Sequence, residues 1–298
     1  MGILDMMNAL RVDVDRTLIR AKRPCSDGYR WFLRRQTPVS DYQTLLDDLV
    51  AEGRVGDACW LLDHIGPTDE VMEVDNLAAD ALVFAGTIRC RGHLEVSGLL
   101  RTGGDLIVDG GGQVGGALQV GRELTVDGGL RCEGALSIGS GGRVGWSLDV
   151  LQTLACDGEL RIGGELRAGE AARVAGPLTV GGDVTAQAGL HCGAGLKLQG
   201  DLIVAGDAFV GRGLDAAGTV QCDGHLRAGW GVRAGGDIRA ARAIRVGESL
   251  SAGGVIESGP DYGIFAGLDV PMATWSCCAF VRAAERPQRL MSGVWSDE

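Results

Sequence analysis

Nearly every sixth residue of this chain is aliphatic for about 175 residues, and the phase never slips. From Leu82 to Ile256 the series has thirty positions, of which twenty-six are Leu, Ile or Val; the exceptions are Gly112, Gly142, Ala172 and Ala208. Two residues later, from Phe84 to Ser258, twenty-eight of thirty are apolar, mostly Val, Ala, Cys and Ile. The residue between the two is apolar in five cases and Arg in eleven, and two residues past the second apolar position eighteen of thirty are Gly. The unit is L-x-V-x-G-x. Apolar residues at i and i+2 around a polar one describe a strand with one face in and one face out. A helix would need apolar spacings of three and four.

Each strand is only three or four residues long before glycine allows a corner. Identical short strands with identical corners close into a coil, and successive coils stack as parallel sheets. Three hexads, eighteen residues, make a triangular coil. The expected fold is therefore mainly β: a single-stranded parallel β-helix of hexapeptide repeats over residues 76–260. Residues 97–126, 127–156 and 157–186 also match one another at a spacing of thirty, with the weak hexads Gly112, Gly142 and Ala172 in the same place. That spacing reads as a record of duplication and not as a coil length.

Residues 1–75 lack the hexad and read as a small helical domain. Ser40 followed by Gln43 has the form of a capping box, and Tyr42, Leu45, Leu46 and Leu49 make one helical face ending near Gly53. A second helix is expected from Gly56 to His64, with Gly66-Pro67 as its stop. Residues 261–298 read as a C-terminal β cap, with Ala273 to Val281 as one longer strand, a turn at Arg286-Pro287, and a last apolar stretch from Leu290 to Trp295. A cap of this kind covers unpaired strand edges that would otherwise template aggregation.

Charge narrows the class of partner. The formal net charge is −11, a poor match to phosphate-backbone binding, where Lys and Arg supply the affinity. Residues 36–80 hold eleven acids and one base, which favours a partner of basic character. The stretch Arg30-Trp31-Phe32-Leu33-Arg34-Arg35 is basic, but the second helix of the hairpin carries no Lys or Arg, so no nucleic acid is expected. No run approaches the ~20 apolar residues of a membrane span, and no signal peptide opens the sequence; a cytoplasmic protein is expected. Five of the nine cysteines, Cys90, Cys132, Cys156, Cys192 and Cys222, fall on the second apolar phase and read as buried small hydrophobes. No CxxC pair supports a metal site. Cys277 and Cys278, read as neighbours in a strand, would face opposite ways.

Catalytic residues are not expected. In hexapeptide acyltransferases the small and large residues have the reverse order, and a long loop and an interface His are used; here His93, His191, His225 and His64 have no loop insertion and no acidic partner in the pattern. The units Gly200-Asp201-Leu202-Ile203-Val204-Ala205-Gly206 and Asp237-Ile238-Arg239-Ala240-Ala241-Arg242-Ala243-Ile244-Arg245-Val246 resemble those of bactofilins, polymer-forming cytoskeletal proteins of bacteria, over residues 82–258. The resemblance implies a triangular, right-handed solenoid without a cofactor, and growth end to end through exposed terminal coils. Both flanks here read as folded, so a monomer or small oligomer is expected. The function expected is a non-enzymatic one, a rigid solenoid presenting surfaces to a protein partner. A self-polymerising scaffold and an immunity or inhibitor protein are the alternatives. Contact candidates are Trp146 and Trp230, which stand where the corner glycine is usual, together with Trp31, Arg34 and Arg35.

Overall fold

The computed structural model describes residues 13–34 and 39–296. From Val71 onward the chain winds through about twelve triangular turns, whose sides stack into three parallel sheets of thirteen, eleven and twelve strands. Face 1 begins at Val71–Val74, face 2 at Leu77–Ala79 and face 3 at Leu82–Phe84. At ~4.8 Å per turn the stack is about 55–60 Å long. Pairing advances by eighteen residues throughout the repeat, as in Leu82 with Leu100, Leu154 with Ala172 and Ile238 with Ile256. The triangular coil is thus settled. The thirty-residue echo is five hexads, so it rotates around the triangle instead of stacking: Gly112 lies on face 2, Gly142 on face 1 and Ala172 on face 3.

The burial of each three-residue strand follows its sequence, in–out–in. Leu94, Leu100, Leu160, Val180 and Cys192 are at most 1% exposed, and the inward side chains of all three faces form one continuous core. Where the repeat has no side chain, its neighbours lean in: a Cβ on Gly142 would lie 2.9 Å from Leu160 Cδ1 and 3.1 Å from Ile138 Cδ1. The corner glycines serve a purpose other than backbone freedom, because none of those in the repeat has positive φ. At Gly128 a Cβ would stand 2.7 Å from the carbonyl oxygen of Gly110, one coil back. Close stacking of coils, and not a left-handed turn, selects glycine there. Corner side chains also bind one coil ahead: Asp183, Asp201 and Asp237 accept from the N–H groups of Asp201, Thr219 and Val255 at 2.7–2.8 Å.

The N-terminal unit has more helix than the sequence pattern suggested. An antiparallel strand pair, Asp13–Asp15 with Val39–Asp41, frames α1 (Arg16–Ala21) and α2 (Ser26–Arg34), and α3 (Tyr42–Ala51) and α4 (Val55–Ile65) form the expected hairpin. Asp41, not Ser40, caps α3, accepting from Thr44 N. Gln43 is therefore free for another task. Trp31, Phe32, Tyr42, Leu45, Leu46, Leu49, Leu61 and Leu62 form a core that also takes in Val83 and Ala85 of the solenoid.

Two corrections fall at the far end. Residues 273–281 are not one strand: Met272–Thr274 is a 3-10 turn, α5 (Trp275–Cys278) is one helical turn, and only then does Phe280–Arg282 rejoin face 1. The register shows why, since Leu250 pairs with Val281, thirty-one residues on instead of eighteen. The surplus bulges from a corner and turns back with Gly267 at φ 76°, where Trp275 packs so closely that a Cβ would meet its ring at 2.9 Å. The segment expected as a separate cap is otherwise the end of the solenoid itself. Ile264–Phe265 and Leu290–Ser292 extend face 3, and Phe280–Arg282 and Val294–Trp295 extend face 1.

Candidate interaction face

Because every coil repeats the same path, the middle residues of successive strands stand one above another. On face 3 this alignment places Arg173 beside His191, His191 beside Phe209, Phe209 beside Arg227, Arg227 beside Arg245, and Arg245 beside Phe265. Six outward side chains thus form a straight ladder about 24 Å long at ~4.8 Å per step. His191 and Phe209 stack with ring centroids 4.7 Å apart, and the Arg245 guanidinium sits over the Phe265 ring at 5.6 Å. Along the corner between faces 3 and 1, Arg212 lies 5.5 Å from the centroid of Trp230. On the opposite corner His225 meets the edge of Tyr262 at 5.6 Å.

Charge distinguishes this face from face 2. On face 2 arginines are neutralised in place: Arg131 pairs with Asp149 at 2.9 Å, Arg167 with Glu165 at 2.5 Å, and Arg239 with Asp237 and Glu257 at 2.7 and 3.0 Å. Among the described residues, no carboxylate stands within ion-pair distance of Arg173, Arg212, Arg227 or Arg245. The face therefore holds exposed guanidinium groups, with aromatic rings between them and no internal counter-charge. Arg is suited to bidentate capture of carboxylates and to stacking on rings.

The expected contact residues fare differently. Trp146 is 72% and Trp230 is 52% exposed, as their corner positions predicted. They do not form one site, because Trp146 stands between faces 1 and 2 and Trp230 between faces 3 and 1. Only Trp230 borders face 3. Trp31 is a correction: it is 6% exposed, packed in the helical core, with Nε1 donating to Glu52 at 2.5 Å. The helical amphipathy that buries Phe32 buries its neighbour too. Arg34 is exposed at the end of α2, and Arg35 lies outside the described residues. Arg101 occupies the outward middle position of its strand, yet it is held by Asp63 and donates to the Cys59 carbonyl at 3.3 Å, because α4 packs over its end of face 3.

The solenoid cysteines and two of the histidines are engaged in structure. Cys90, Cys132, Cys156, Cys192 and Cys222 are free and buried. Burial pushes the thiols of Cys132, Cys156 and Cys192 up from their usual range and that of Cys222 up to about 12. His225 Nδ1 accepts from Ala243 N–H at 3.3 Å, and His64 stacks on Trp60 at 4.1 Å. Among the described residues no helix is long and apolar enough to cross a membrane.

Residues 6–65 match the family model described as the YdhT N-terminal domain. That range spans α1 to α4 and stops before the first solenoid strand, so it says what the helical unit is similar to and leaves the solenoid unassigned. No curated protein and no solved structure matches the chain.

Five of the six ladder residues are legible in the sequence, but only at the right period. Read at a period of six, Arg227 and Arg245 are two outward arginines among eleven. Read at eighteen, every third hexad lists Arg173, His191, Phe209, Arg227 and Arg245 consecutively. Phe265 escapes even that reading, because the step from Arg245 to Phe265 is twenty residues.

Proposed function

We propose that the protein is a non-enzymatic interaction protein, a rigid β-solenoid that presents face 3 to a protein partner. Arg173, Arg227 and Arg245 receive carboxylates of the partner, and Phe209, Phe265 and Trp230 take its apolar surface. The observation that carries this reading is the ladder of guanidinium groups without internal carboxylates, on a face whose backbone is fixed by sheet pairing above and below. Arg and Trp dominate binding energy where they can be desolvated against a partner, and preorganised side chains lose little freedom on binding. The acidic 36–80 segment supports a basic partner less well than its charge suggests. Asp41 caps a helix, Asp47 accepts from Gln43, Glu52 from Trp31, and Asp57 and Asp63 bind Arg54 and Arg101.

The test is a photo-crosslinker placed at Phe209 of the full-length protein in native extract, with the captured protein then purified and re-bound. R227E/R245E is expected to lower that binding by about tenfold or more, the loss of ~1.4 kcal/mol or more. The same charge change on face 1, R143E/R233E, is expected to leave it intact. Equal loss from both pairs, or none from the face 3 pair, sinks the reading.

A further inference from the structure

Cys277 and Cys278 are exposed, and their sulfurs stand 3.5 Å apart. In a strand they would point to opposite sides. The single turn of α5 instead brings both to one open pocket of about 310 Å3, walled by Glu248, Ser249, Asp269, Val270, Pro271, Thr274 and Phe280. Cys277 Sγ also lies 3.2 Å from the Thr274 carbonyl oxygen, which it can donate to. The other seven cysteines differ: five are buried in the solenoid core, Cys59 is half-buried, and Cys25 is exposed without a cysteine neighbour in the sequence.

Two sulfurs at this separation suit a chelate through a single soft centre. With centre–sulfur bonds of about 2.3 Å, 3.5 Å between sulfurs corresponds to an angle of roughly 100° at the centre. That angle is the one a pyramidal trivalent centre prefers, and it is far from the linear arrangement of two-coordinate copper. Thiolates select soft ions. We propose that Cys277 and Cys278 form a bidentate binding site for a thiophilic trivalent species of the arsenous type. The exchange balances without an oxidant. With a monosubstituted arsenous acid, R–As(OH)2, two As–O bonds break and two As–S bonds form. The two thiol protons leave with the two hydroxides as water, and arsenic stays trivalent.

Phenylarsine oxide, which hydrates to such an acid, is the probe, added at one equivalent to the full-length protein. Intact mass should show one adduct that survives a large excess of glutathione and is removed by 2,3-dimercaptopropanol, because only a second dithiol competes with a chelate. C277S and C278S should each lower retention in glutathione by about tenfold or more, the equivalent of ~1.4 kcal/mol, whereas C25S should keep it. A second readout needs no variant: tryptic cleavage after Arg245 and Arg282 yields a peptide whose only cysteines are Cys277 and Cys278, and the adduct should map there. An adduct on any other peptide, retention in the C277S/C278S protein, or stripping of the wild type by glutathione as readily as of C277S overturns the proposal. So does the absence of an adduct.

Discussion

At the scale of single residues, the core of this protein is a stack with little room to relax. Leu160 is fully buried and pairs with Gly142 in the coil before it, which already lacks a side chain. Leu160→Ala would therefore open a void on two successive coils, and a loss near the upper part of the ~2–5 kcal/mol range is expected in chemical denaturation. Leu178→Ala, whose neighbours Leu160 and Leu196 both keep their side chains, should cost less. The reverse order would mean that the glycine layers collapse freely. The buried thiols add a dependence on pH. Burial raises the pKa values of four of them in the folded state, that of Cys222 to about 12 against an ordinary 9.0. Between those values the unfolded chain has released a proton that the folded chain retains, so stability should fall as pH rises. Cys132, Cys156 and Cys192 shift in the same direction. Melting temperature is expected to decline from pH 9 upward, less steeply when Cys222 is replaced by Ala. A thiol reagent should label these cysteines only on unfolding.

At the scale of elements, the most informative contact joins the helical unit to the solenoid. In each coil the first corner N–H donates to the apolar residue one coil back, as Gly103 N–H does to the Phe84 carbonyl. The first strand of face 3 has no coil before it. There the carboxamide of Gln43 takes the place of a peptide group, with Oε1 accepting from Ala85 N–H at 2.9 Å and Nε2 donating to the Val83 carbonyl at 3.0 Å. Val83 itself faces outward on the strand yet is fully buried, because α3 covers it. Gln43→Ala should leave two edge groups unpaired and cost about 1–3 kcal/mol. Hydrogen exchange at Ala85 should accelerate while that at Leu154 does not change; equal acceleration at both would show that Gln43 acts on global stability alone. The same residue marks where sequence reading stops. A period of six and its physics reached the solenoid, its burial and its cysteines, since each depends on neighbours at fixed spacing. In the sequence Gln43 has the form of half a local capping box, because its true partners lie forty residues away. α1 and α2 went unseen for a similar reason. They are short, and the apolar residues they bury, Ile19, Trp31 and Phe32, are too few to set a helical period in the sequence. On the candidate face, Trp230 was legible as an indole standing where glycine belongs, whereas the ladder appears only once the coil length is known.

At the scale of the whole molecule, two features bear on self-association in opposite senses. The first turn carries Asp69, Glu70 and Asp80 beside Glu73 and Asp75, which Arg91 already pairs, and the last carries Arg282, Arg286 and Arg289 against Asp269 and Glu285, so the ends attract one another only weakly. Strand-by-strand growth, however, needs free edges on every face. At the N-terminal end face 3 is closed by Gln43 and α3. At the other end the faces finish unevenly: face 2 ends at Ile256–Ser258, while Phe280–Arg282 and Val294–Trp295 carry face 1 two strands further. The segment from Glu285 to Arg289 crosses above the last face 2 strand and encloses a gap of about 190 Å3. A second molecule arriving end on cannot pair with all three faces at once. Charge alone, screened beyond ~8 Å at physiological ionic strength, does not replace three ladders of backbone hydrogen bonds. Sedimentation velocity at that ionic strength should therefore show a monomer across the micromolar range, and negative-stain images should show short single rods. Removing residues 1–66 uncovers Val83, Ala85 and Leu99 together with the edge that Gln43 occupied, and that protein should associate or aggregate. Filaments formed by the full-length chain would show that the closed edge on face 3 does not limit growth, and a self-polymerising scaffold would then explain the molecule better than a solitary binding rod.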